Sequence, residues 1–240
     1  RFESTMGNAP VVSRSLYANL AERFRRGNIY QRWKREGASF GKFAAREIEK
    51  VGLKEDDTIL GYTAANLEQI VLAKQLGAKA LHVQVDPGMS WYGTRRMEQL
   101  KYPEAEDLAP MPDAEFVNRI GQEWQAAGKV IVHSAHSREA LLSQGVAPER
   151  CVVIPPAFTS SITSAPRRID ANRPFRVLFV GNHCLAKGYH IFADAARMAG
   201  KEFEFASIGT QSMKPSYLAQ ASQFVLMQGH LTQTKVREQM

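Results

Sequence analysis

Short apolar runs alternate with longer amphipathic stretches along most of the chain, and that alternation restricts the fold more than any other feature. Runs at 58–62, 80–85, 129–133, 151–154, 175–180, 203–208 and 224–227 read as strands. Apolar residues three and four apart predict helices over 13–26, 39–51, 64–76, 114–127 and 188–199, and Ser134 or Ser137 is placed to cap another that runs to Gln144. Strand, helix, strand with short loops implies right-handed crossovers and mostly parallel sheets, hence an α/β chain. Such sheets bind ligands beyond the carboxyl ends of their strands. The residues just after each strand are therefore the ones to read for chemistry.

The organisation is bipartite. Residues 159–174 are rich in Thr, Ser, Pro, Arg and Asn, with little that could pack, and read as an interdomain linker between domains at 1–158 and 175–240. Residues 87–112, with several prolines, read as a long irregular connection, the kind that is usually functional or mobile. Of 240 residues, 44% are hydrophobic, enough for a real core, and no run approaches the roughly 18 apolar residues of a membrane-spanning helix. Cys151 and Cys184 form no disulfide framework, which fits a cytoplasmic protein. The net charge of +7 gathers early, at Arg23, Arg25, Arg26, Arg32, Lys34 and Arg35. These form either a solvated helix face or a surface resting on anionic lipid headgroups at the membrane's cytoplasmic side. Nucleic acid ranks last, because no recognised motif accompanies the charge.

The strongest chemical signal runs from Gly181 to Gly188. A buried strand ends at Gly181, Asn182 follows, and Lys187 and Gly188 open a helix. A helix N-terminus offers free N–H groups and a positive dipole end, Lys187 adds a full charge, and the glycines let backbone approach an anion. Neither the Walker pattern nor G-x-G-x-x-G is present. The bland alternative is a strand-to-helix turn with an exposed lysine. A second signal is Gln84-Val85-Asp86-Pro87-Gly88, where Asp86 could orient a sugar hydroxyl or move a proton, or simply begin a turn. His133 and His136 lack the acidic or thiol partners of a zinc site, and no Asp-x-Asp occurs. His82, His190, Trp124 and Glu123 read as core or structural residues.

The order of these segments resembles the family-4 retaining glycosyltransferases of GT-B fold, from about Thr58 onward. Glu123-Trp124, then 129–134, 137–142, Gly145-Val146 and 152–156 are similar to the end of that family's acceptor domain. Gly181 with Lys187-Gly188 resembles its donor-phosphate loop, and Ile208-Gly209 and 229–232 its next two strand ends. The resemblance implies two Rossmann-like parallel-sheet domains, the second incomplete. It also implies transfer of a sugar, with retention, from a nucleoside-diphosphate sugar to a glycan, lipid-linked or small-molecule acceptor. Gly181, Asn182, Lys187 and Gly188 would hold the donor diphosphate. Ser134, Gly209 and His230 would line the cleft, Gln84 and Gly88 would meet the acceptor, and Asp86 would be the catalytic candidate. No metal and no cofactor beyond the donor is implied, since Lys187 would offset the charge developing on the leaving group.

Two departures accompany the likeness. Asn182 stands where the family usually has arginine, and the family's E-x7-E segment would lie beyond Met240. The glycine-rich start is also missing. The chain therefore reads as a fragment of an enzyme, inactive by itself. The alternatives are a non-catalytic nucleotide-sugar or glycan-binding relative and a nucleotide-sugar epimerase.

Overall fold

The computed structural model describes residues 27–157 and 173–239. The helix read at 13–26, Arg23, Arg25, Arg26 and nearly all of the linker lie outside them. The chain divides into two compact units, Arg1–Ser90 with Pro110–Pro156, and Trp91–Ala109 with Ala157–Met240.

The described part of the first unit opens with helix α1 (Ile29–Val51). It starts earlier than the apolar pattern indicates because Asn28 and Gln31 form a reciprocal capping box. Strands β1 (Thr58–Tyr62), β2 (Lys79–Val83), β3 (Lys129–Val132) and β4 (Cys151–Val153) form one parallel sheet in the order β1-β2-β3-β4. Helices α2 (Leu67–Gln75) and α4 (Ala114–Ala126) provide the crossovers that cover its core face, with Ile70, Ala73, Ala80 and Ala127 buried between. Burying a side chain such as Ile70 contributes about 1.5–3 kcal/mol. Gly37 lets α1 lie close on the turn after β1, since a Cβ there would come within 1.8 Å of Ala64 O. Helix α5 (Ala135–Ser143) joins β3 to β4, and Ser134 caps it by accepting the Ser137 N–H at 3.1 Å.

The stretch read as irregular contains helix α3 (Met89–Lys101). Its one fully buried residue is Gln99, so no apolar stripe marks it in sequence. From Trp91 onward the segment packs with the second unit.

The second unit is a parallel sheet of β5 (Phe175–Val180), β6 (Phe203–Ile208) and β7 (Val225–Met227), in that order. Helix α6 (Tyr189–Met198) follows β5, α7 (Pro215–Ala221) follows β6, and α8 (Gln233–Gln239) closes the described chain. Ala105, Leu185, Tyr189, Ala193, Met213 and Leu218 form its core, with Phe179 and Phe192 packed against it. Phe179 meets Tyr189 edge-on at 5.2 Å, a favoured aromatic geometry.

Candidate functional sites at two sets of strand ends

At the carboxyl end of β2 the polar groups are buried side chains. Gln84 is 1% exposed. Its Oε1 accepts the Trp124 indole N–H at 2.8 Å and lies 3.3 Å from His82 Nε2. Its Nε2 donates to Asp86 Oδ1 at 2.7 Å, and the Gly88 N–H donates to the same oxygen at 2.8 Å. Asp86 is half-buried, and its Oδ2 takes no part in these bonds. Gln144 fastens the turn by accepting the Met89 N–H and donating to Pro87 O.

Behind Gln84 the network continues inward. His82 is fully buried, with Nδ1 3.1 Å from the Asn66 side-chain amide. A neutral imidazole has one donor. If that is Nε2–H on Gln84, then Nδ1 accepts and Asn66 must turn its Nδ2, otherwise unpartnered, toward it. Glu123, also fully buried, accepts the Ala64 N–H at 2.8 Å and the Asn66 N–H at 3.2 Å. It thereby holds the turn after β1, where Ala64 has a positive φ of 69°. Burial pushes the Glu123 carboxyl up to about 7, against those two bonds and Arg119, which pull it down. Burial pushes His82 down to about 4, against its bond with Gln84.

At the carboxyl ends of β5, β6 and β7 the material is backbone. Gly209 N–H donates to Gly229 O at 2.8 Å, and a Cβ on Gly209 would come within 1.7 Å of Gly181 O. Only glycine permits that approach. After Gly181 the chain passes through Asn182 and His183 into a single 3₁₀ turn, Leu185–Lys187, and then Gly188 at φ 73°. Asn182 Oδ1 accepts from Thr210 Oγ1 at 3.1 Å and Ser212 Oγ at 3.0 Å, bracing this loop to the one after β6. Lys187 is exposed and makes no ion pair with a described residue. His183 is fully buried, stacked on Tyr189 at 4.2 Å, and neither ring nitrogen has a partner among the described residues. Burial lowers its pKa.

The residues singled out from sequence therefore separate. Gly181, Asn182, Lys187, Gly188, Gly209 and His230 belong to the second unit; Gln84, Asp86, Gly88 and Ser134 belong to the first. Gly181 N–H donates to Ile208 O and Gly188 N–H to Leu185 O, so these two amides are already committed and are not free donors for an anion. Lys187 lies in the 3₁₀ turn, and Gly188 precedes the helix that the pair was expected to open. Gln84 and Gly88, read as acceptor contacts, are buried; Gln84 reaches Asp86, and Gly88 packs under Gln144 and Trp124. Ser134 is exposed and spends its hydroxyl on the helix cap; His230 is exposed beyond β7. His133 Nδ1 lies 3.1 Å from Ile154 O. Of the early basic residues, Arg32 pairs with Glu36 at 3.7 Å and Lys34 with Glu115. No helix among the described residues is long and apolar enough to cross a membrane. The backbone N–H partners of Glu123 and of Glu106, a further buried acid, escaped the sequence because they lie 57 or more positions away.

The chain is similar in structure to the lipopolysaccharide outer core galactosyltransferase WaaB in apo form. The TM-score is 0.51 at 11% identity, over 88% of this chain and 52% of that one. It is also similar to Anabaena HepE in complex with UDP, at 0.50 and 15% identity, over 80% and 51%. The fold is of the GT-B type. This chain spans about half the length of these GT-B structures. No protein-family model matches it, and no curated protein matches it by sequence.

Proposed function

We propose that this chain carries the nucleotide-binding part of a glycosyltransferase that moves a sugar from a nucleoside diphosphate sugar to an acceptor hydroxyl. The carrying observation is the glycine-lined meeting of three strand ends in the second unit, one of which leads into the turn that holds Lys187, an exposed cation with no ion partner among the described residues. Glycines that leave room close to the strand ends and an exposed ammonium suit a diphosphate, and Lys187 would offset the charge that develops on it as the sugar leaves. Asn182 Nδ2 is free to add a neutral bond where Oδ1 is held. That Anabaena HepE, of the same fold, is in complex with UDP supports the choice of ligand. Family-4 membership and retention of configuration rest on the order of the motifs. Asp86, with one oxygen held and the other free, is the group for proton transfer or hydroxyl orientation in the first unit. The reading needs no metal. It takes a glycan, a lipid-linked sugar or a small molecule as acceptor, in the cytoplasm, at the membrane face where that acceptor is lipid-linked.

Calorimetric titration of the full chain with UDP tests it. Lys187→Ala is expected to weaken binding by about 1.5–3 kcal/mol, roughly 10- to 150-fold, with no change in thermal stability. An unchanged affinity removes Lys187 from the site, and absence of UDP binding by the unmodified chain sinks the nucleotide reading.

A further inference from the structure

The segment Trp91–Ala109 precedes β3 and β4 in sequence yet packs within the second unit. Ala105 is fully buried in its core beside Leu185, Tyr189 and Met213. Lys214 fastens the segment: its N–H donates to Ala105 O at 2.8 Å, and its Nζ to Pro103 O at 2.8 Å. Tyr102 lies against the His190 ring at 4.6 Å. Next to Ala105 stands Glu106, 5% exposed. Its Oε1 accepts from Gln99 at 2.7 Å and Arg95 at 3.1 Å; its Oε2 accepts the Leu185 N–H at 3.0 Å, from 79 positions away.

Leu185 is the first residue of the 3₁₀ turn that carries Lys187. Such a turn is weak by itself: it has two internal bonds, Lys187 N–H to Cys184 O at 3.1 Å and Gly188 N–H to Leu185 O at 2.9 Å. Glu106 supplies a third bond at its start, and a charged acceptor makes that bond stronger than a neutral one. Arg95 balances the charge, so the carboxylate holds the turn without leaving an uncompensated negative group next to an anion site.

We propose that Glu106 is a positioning residue for the diphosphate site, fixing the turn from which Lys187 projects. This rests on the nucleotide reading above. Glu106 does not touch the nucleotide; it acts through the Leu185 amide.

The test is a double-mutant cycle read by UDP calorimetry on the full chain, with thermal unfolding alongside. Glu106→Ala is expected to weaken UDP binding about tenfold, the loss of one charge-assisted bond's worth of order in the turn. Glu106→Gln keeps one acceptor oxygen for the Leu185 N–H but turns its NH2 toward the Gln99 and Arg95 donors, so its affinity is expected to fall between those of the parent and Glu106→Ala. In the Glu106→Ala background, Lys187→Ala should lose far less than it does in the parent, because the lysine is no longer held in place. If Glu106→Ala does not fold, Glu106→Asp serves: the charge stays but falls one methylene short of Leu185, and the same loss is expected. Full UDP affinity in the Ala or Asp variant overturns the proposal, as do strictly additive losses in the cycle. Should the unmodified chain bind no UDP, the nucleotide reading fails and the positioning role of Glu106 goes with it. Amide exchange at Leu185, faster in Glu106→Ala than in the parent, then still reports whether the bond itself exists.

Discussion

At the end of β2 the polar groups are side chains sunk in the first unit and linked through Gln84, His82 and Glu123; at the ends of β5, β6 and β7 they are main-chain groups gathered by glycines. The two constructions fail differently. A buried network is intolerant of losing a partner, because each orphaned group keeps its desolvation penalty. A backbone site is indifferent to most side chains but intolerant of an added Cβ. The first also contains two buried groups with displaced titrations, Glu123 pushed up to about 7 and His82 down to about 4, whereas the second is held by chain path.

The sharpest way to break this contrast is Glu123→Ala. It orphans the Ala64 and Asn66 N–H groups, and with about 1–3 kcal/mol for each it should destabilise the protein by about 2–6 kcal/mol in urea unfolding. A loss under about 1 kcal/mol would mean that the network is ornamental. Gly209→Ala should cost about 3 kcal/mol through the clash with Gly181 O, and abolish UDP binding as well. A stable variant with full UDP affinity would show that the strand ends are not closely set.

Titration separates the two regions further. Glu123 rises from 4.5 to about 7, so the folded state keeps a proton the unfolded state has released, and stability falls as pH climbs through that window. His82 falls from 6.5 to about 4, so the unfolded state binds a proton the folded state refuses, and stability falls as pH drops through that window. The opposed slopes overlap between 4.5 and 6.5 and should nearly cancel there. His82→Asn should uncover a decline with rising pH approaching ~1.4 kcal/mol per unit, and Glu123→Gln a slope of opposite sign. Urea midpoints across this range that stay level in both variants would refute the assignment. The smallest effect is expected at Asn182→Ala. Loss of a neutral bond should weaken UDP binding only about 2- to 10-fold, well below the loss at Lys187.

The contrast also explains what could be read in advance. Gly181, Gly209 and Gly229 each follow a run that reads plainly as a strand, and Ser134 sits where a helix cap belongs, so these positions were legible. Glu123 was visible as structural, but its partners were not, because a carboxylate bonded to backbone 57 and 59 positions earlier leaves no local pattern. Helix α3 was hidden for a related reason. Its buried face is Gln99, bonded to Glu106 and to the Ala109 N–H, and periodicity registers only apolar faces. Gln84 was noticed for its place at a strand end, yet its burial makes it a support for Asp86.

The passage of Trp91–Ala109 into the second unit bears on how the chain is made. Leu185 is synthesised 79 positions after Glu106. At roughly 5–20 residues per second, a ribosome needs roughly 4–16 s to deliver it. Throughout that interval Tyr102 and Ala105 have emerged without the core they will join, while β3 and β4, of the other unit, are synthesised. The nascent chain must keep Tyr102 and Ala105, and the buried acid Glu106 beside them, without their final partners until the last third of the protein appears.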